Sequence, residues 1–168
     1  MDTQTLALIL STFAILFSLL TLYLWFTKKE MKKDADPAYN TRPLQLQAYE
    51  RLVILTERVA LPNLVSRANQ PGLNAKEMQL LMLESIKQEF EYNSSQQIYV
   101  SPMAWQAVNN LKEQNMLIIN QIAQTLPAEA KGIDLGKRIM EVIMAQDKKA
   151  LHIIVLEALN YEARKLMK

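Results

Sequence analysis

The sequence predicts an all-α protein: an N-terminal transmembrane helix followed by a bundle of about five helices. Three observations carry that expectation. Thr5–Phe26 runs without a charged residue. From Leu44 onward, apolar residues recur at helical spacing in five stretches, separated by Pro, Gly and Asn. Glycine (3) and proline (6) are too scarce in these 168 residues for a low-complexity or collagen-like chain, and with no cysteine there is no disulfide scaffold.

The first element is TLALILSTFAILFSLLTLYLWF, Thr5 to Phe26. As a helix this stretch would be roughly 33 Å long, enough for a hydrocarbon core of about 30 Å. Leucine, isoleucine and phenylalanine occupy every side of the wheel, so no polar face remains for water. Ser11, Thr12, Ser18 and Thr21 can return their hydroxyls to the preceding turn. A cleaved signal peptide fits poorly, because the Met-Asp-Thr-Gln start is not basic and Tyr23-Leu24-Trp25-Phe26 offers no small-residue cleavage site. Lys28, Lys29, Lys32 and Lys33 follow at once, while Asp2 precedes. That charge asymmetry predicts an outside N-terminus and a cytoplasmic C-terminal part, with Tyr23 and Trp25 at the inner headgroup level. The lysines would also favour anionic lipid, although Glu30, Asp34 and Asp36 partly offset them. The division expected is an anchor with its basic flank over 1–33, a linker over 34–43 and a helical domain over 44–168.

Within that domain, Leu44, Ala48, Leu52, Leu55 and Val59 form a helical stripe over Leu44–Ala60, and Leu64–Ala68 adds a turn beyond Pro62. Gln70-Pro71-Gly72 is a turn. Asn74 with Glu77 makes a capping box opening a helix that reaches Tyr92. Asn93–Val100 resists helix assignment. Ser101-Pro102 is a strong start for the next helix, which carries Trp105, Val108, Leu111, Ile118, Ile119 and Ile122 to about Leu126 and has an amide-rich opposite face. Asp134 is expected to cap a helix to about Gln146, and Asp147 to cap one over Lys148–Met167. Ile153–Leu156 reads as helix rather than strand, because the apolar spacing continues unbroken through it.

The chain offers little for chemistry. The single histidine, His152, lies inside the last helix and rules out a two-histidine zinc motif. Neither a phosphate-cradling glycine loop nor a GxSxG elbow is present. Lys plus Arg (19) barely exceeds Asp plus Glu (17), so the basic excess expected of a nucleic-acid binder is missing. Glu84, Glu89, Glu91, Glu113 and their fellows could form a hydrolase-type pair only if the fold set two across a cleft. The expectation is a non-enzymatic protein with no cofactor and no metal, and the sequence identifies no small-molecule ligand.

Two features exceed the ordinary. The NSSQQIYVSP segment supplies many donors and acceptors, which either bond within the loop, with Ile98, Tyr99 and Trp105 pinned to the core, or form a partner-binding lip. In the second case Gln96 and Gln97 are its polar contacts, and Tyr99 and Trp105 its aromatic anchors. The runs IMEVIM (139–144) and LHIIVL (151–156) are apolar around most of the helix. Either those helices are central, or they keep surface for a partner, with Met140 and Met144 as adaptable contacts.

The stretch Leu46–Trp105, with its QPG turn at Gln70–Gly72 and its SQQIYVS run at Ser95–Ser101, resembles an uncharacterised family of small bacterial proteins with one N-terminal span and a helical cytoplasmic region. The resemblance implies residence in a bacterial inner membrane and adds no chemistry. Taken together, the expected function is a membrane-anchored helical interaction module, an accessory or adapter subunit that meets the bilayer and an integral membrane partner. The alternatives are a self-associating structural protein and a membrane-tethered enzyme using paired glutamates.

Overall fold

The computed structural model describes residues 12–25, 40–145 and 150–168. Seven α-helices and no strand occur among them. The chain divides into two compact units, Met1–Asn40 and Thr41–Lys168.

In the first unit, residues 12–25 form α1. Its large apolar side chains are exposed on every side, Phe13 and Phe17 each by 68%. Thr21 donates its hydroxyl to the Ser18 carbonyl at 2.8 Å, which satisfies the group inside an apolar helix. The described length is about 21 Å. Among the described residues no helix is long and apolar enough to cross a membrane. The rest of the expected span, 5–11 and Phe26, lies outside the described residues, as do Lys28, Lys29, Lys32, Lys33 and most of the linker.

The second unit opens with α2, Arg42–Val59, which has a proline in its first turn and buries Ala48, Leu52, Leu55 and Val59. It stops because Ala60 turns extended (φ −54°, ψ 128°) and Pro62 has no N–H to continue the ladder. The abandoned carbonyls find side-chain donors instead. Asn63 donates to the Glu57 carbonyl at 2.9 Å, Arg67 to that of Arg58, and the buried Asn115, from a later helix, to that of Val59 at 2.7 Å. α3, Leu61–Ala68, is two turns rather than the one expected.

After a turn with Gly72 at φ +89°, Asn74 accepts from the Glu77 N–H while Glu77 accepts from the Asn74 N–H, both at 2.9 Å. That capping box opens α4, Ala75–Tyr92, as its sequence signature predicts. The segment expected to be non-helical is a short 3-10 helix, Ser94–Ile98. Its start is set by Asn93, whose side chain donates back to the Glu89 carbonyl at 2.8 Å and whose own carbonyl accepts from the Gln96 N–H at 3.0 Å. Ser101 caps α5, Pro102–Gln124, by accepting from the Ala104 N–H at 3.0 Å.

α6 spans Gly132–Met144, so Asp134 is not its cap. Two long-range bonds between backbones move the start upstream: the Gly132 N–H donates to Leu73 and the Ala75 N–H to Ala130, each at 2.8 Å. Asp134 sits in the first turn and accepts from the Lys131 N–H at 3.0 Å. α7 covers Leu151–Leu166, later than the Lys148 expected; Asp147 lies outside the described residues.

The core joins α2, α4, α5, α6 and α7 through Leu52, Leu55, Met82, Ile86, Leu111, Ile119, Ile139 and Leu159. The amide-rich face of α5 is not uniformly wet: besides Asn115, Asn120 accepts from the nearly buried Gln79 at 2.7 Å. α7 lies chiefly on α2 and α5. It buries Val155 and Leu159 but leaves Ile154 48% and Tyr161 62% exposed.

Candidate functional site

The start of α2, the segment between α4 and α5, the start of α5 and the end of α7 all meet at one end of the bundle. They enclose an open groove of about 710 Å³. Tyr49 forms its floor. The phenol is buried and donates to the Glu162 carboxylate at 2.5 Å while accepting from the Ser101 N–H at 3.2 Å. One phenol thus ties α2 to α7 and to the cap of α5. Burial, and then the neighbouring Glu162 carboxylate, push the Tyr49 phenol above its ordinary range.

The rim is apolar and aromatic. Ile98 is 74% exposed, Met103 78% and Tyr161 62%, with Tyr99 and Val100 beside them. The Lys165 ammonium sits 4.3 Å from the Tyr161 ring centroid, a cation–π contact at the groove's edge. This arrangement suits contact with a surface that is apolar in part and polar in part. Its one carboxylate, Glu162, already accepts from Tyr49.

The residues singled out from the sequence are dispersed. Tyr99 lines the groove. Gln96 donates to the Ser95 hydroxyl at 3.2 Å, and Gln97 is exposed. Trp105 turns inward, its ring 5.0 Å from that of Phe90 and tilted by 37°. Met140 is half-buried on α6, and Met144, on the same helix, is 73% exposed. Tyr23 and Trp25 are exposed on α1. Sequence reasoning missed Tyr49 and Glu162, which lie 113 positions apart.

Two other concavities carry less. His152 lines a small apolar pocket of about 160 Å³ between α3, α5, α6 and α7, with Pro62, Ile118 and Val142 among its neighbours. Between α2 and α4, Glu89 is bound by Arg58, which leaves that carboxylate committed to an ion pair. Among the described residues no group of three His, Cys, Asp or Glu could hold a metal ion.

The model of a family of unknown function, DUF7935, matches residues 3–166, nearly the whole chain. The chain belongs to that family. Its membership extends over both structural units, so the N-terminal stretch and the bundle are parts of one family pattern. No curated protein and no solved structure matches the chain. The expectation of an uncharacterised family therefore holds, while the membrane span that the resemblance implied is not shown.

Proposed function

We propose that this protein is a membrane-anchored helical interaction module, an accessory or adapter subunit of a bacterial inner-membrane assembly. The observation that carries the reading is the first unit. Thr5–Phe26 has no charge, and in its described part the apolar side chains are exposed on all sides. Such a helix is costly in water, at about 25 cal/mol for each Å² of apolar surface left wet, and lipid removes the cost. The second unit has its own core and carries exposed Ile98, Met103 and Tyr161 around one open groove, a surface that supports an interaction role.

The test is alkaline extraction of native membranes combined with single-cysteine accessibility, which the cysteine-free chain makes unambiguous. The protein is expected to stay in the pellet. A cysteine replacing Glu129 should react only after the cytoplasmic side is exposed. In mild detergent it should migrate with an integral membrane protein. Release by alkaline washing would remove the anchor; a lone monomer in mild detergent would remove the adapter role.

Self-association is a second reading, favoured by α7. Leu151, Ile154, Ala158 and Tyr161 are all exposed and recur at intervals of three and four, the spacing of a helix-pairing seam. It predicts a concentration-dependent dimer in detergent that Ile154→Glu dissolves.

A further inference from the structure

Building on the anchored reading, we propose that the groove end of the bundle is a second membrane contact. It docks on the headgroup and upper acyl region of a bilayer containing anionic lipid.

The first argument is connectivity. The second unit begins at Thr41, and its first helix lines the groove through Gln45 and Tyr49. The chain therefore enters the bundle at the groove end. α4, with 18 residues, and α5, with 23, run away from that end for about 27 and 34 Å. Ile133, beside the α4 N-terminus through the Gly132–Leu73 bond, consequently marks the far end. The chain between Phe26 and Thr41 reaches at most about 50 Å. If a bilayer holds the first unit, a tether of that length keeps the local concentration of the bundle's surfaces near the millimolar range. A patch far too weak to hold a free protein on a membrane suffices under those conditions.

The second argument is chemistry. Ile98 and Met103 project apolar side chains, each more than 70% exposed, which fit the acyl boundary. Tyr99 and Tyr161 bring rings with a polar tip, the residue type that settles at headgroup depth. Arg164, Lys165 and Lys168 are exposed on the last turns of α7 and its end. Each basic residue at an anionic surface strengthens attachment by about fivefold. Of the nearby carboxylates, Glu162 is turned inward onto Tyr49, while Glu91 is exposed at the end of α4. The apolar residues and cations together match a lipid surface better than a purely apolar partner.

The full chain, reconstituted in vesicles, provides the test. Single cysteines replace Met103, Ile133 or Phe13 and carry a fluorophore, with brominated phospholipid as the quencher in the bilayer and iodide as the quencher in water. With phosphatidylglycerol present, the label at 103 should be quenched by bromolipid and protected from iodide, and the label at 133 should show the reverse. Changing Lys165 and Lys168 together to alanine should lower the docked-to-free ratio by about twenty-five-fold, with the label at 13 still quenched. Equal behaviour at 103 and 133, while 13 is quenched, would overturn the docking and leave the anchor intact. Protection from iodide at 103 without bromolipid quenching would also overturn it, in favour of a second copy covering the groove. Loss of quenching at 13 would instead refute the anchored reading on which the proposal rests.

Discussion

Asn115 offers the sharpest test of how the bundle is held. Its side chain is 4% exposed and donates to the Val59 carbonyl at 2.7 Å. That carbonyl belongs to the last turn of α2, where the chain breaks away toward Pro62. Replacing Asn115 with leucine keeps the approximate size and removes the donor. The loss is the net hydrogen bond plus the desolvation cost of a carbonyl left without its partner, together about 1–3 kcal/mol. Replacement by aspartate is worse at neutral pH, because a carboxylate then faces a carbonyl oxygen in a dry site. Burial raises the folded-state pKa of that carboxyl, so the variant is most stable below the ordinary value near 4 and loses stability as pH rises through the raised one. The protonated form can donate to Val59, so Asn115→Asp should recover part of the loss at low pH while Asn115→Leu does not. Denaturant unfolding of the detergent-solubilised chain, followed by circular dichroism at 222 nm, reads both, with the slope in denaturant expected to be unchanged. An Asn115→Leu variant within about 0.5 kcal/mol of the parent, or an Asn115→Asp variant whose deficit ignores pH, would refute the account of how α2 ends.

Tyr49→Phe removes both bonds that join α2, α7 and the α5 cap and should cost about 1–2 kcal/mol at neutral pH in the same unfolding assay. Because the folded Tyr49 phenol is raised, its contribution is fully present below the usual phenol value near 10 and is lost as pH rises from there through the folded value. The parent should therefore weaken in that alkaline window, and the phenylalanine variant should show a flatter profile. Gly132→Ala places a Cβ 3.1 Å from the Leu73 carbonyl oxygen, which the Gly132 N–H itself holds in place, so a loss of about 1 kcal/mol or more is expected on thermal unfolding. Gly136→Ala sets its Cβ 3.1 Å from Val65 Cγ1, a side-chain atom rather than a hydrogen-bonded backbone carbonyl, and gains helix propensity, so it should cost less than Gly132→Ala in the same assay. Asn74→Ala breaks the capping box and should cost about 1 kcal/mol, read as a lower denaturation midpoint.

Local chemistry was legible in the sequence, and long-range geometry was not. The Asn74–Glu77 box and the Ser101-Pro102 start require only residues within one turn of each other, and both appear where their side chains predict. Pro62 announces the end of α2, but whether one turn or two follow depends on burial of Leu61, Leu64 and Ala68 against the rest of the bundle. The start of α6 was misplaced because Asp134 looks like a cap in isolation, whereas bonds from Gly132 and Ala75 to remote carbonyls fix the helix further upstream. The 3-10 turn at 94–98 was missed for a related reason. Its residues carry no apolar stripe, and the segment is ordered by Asn93 reaching back to α4.

The candidate site was harder still, because it is assembled from three distant parts of the chain and has no motif. Trp105 reads from the sequence either as pinned to the core or as a partner anchor, and packing on Phe90 brings its ring inward. Tyr49 falls between the stripe positions Ala48 and Leu52 and is not part of the stripe. Its role follows from Glu162, far along the chain, arriving within hydrogen-bond reach. What concentrates exposed side chains at the groove is topology: α2 and α5 begin there while α7 ends there. Helix ends supply short connectors, and connectors can expose Ile98 and Met103 without disturbing a stripe that the core needs. The stripes on the helices are spent on folding, so surface left for a partner is found where periodicity stops.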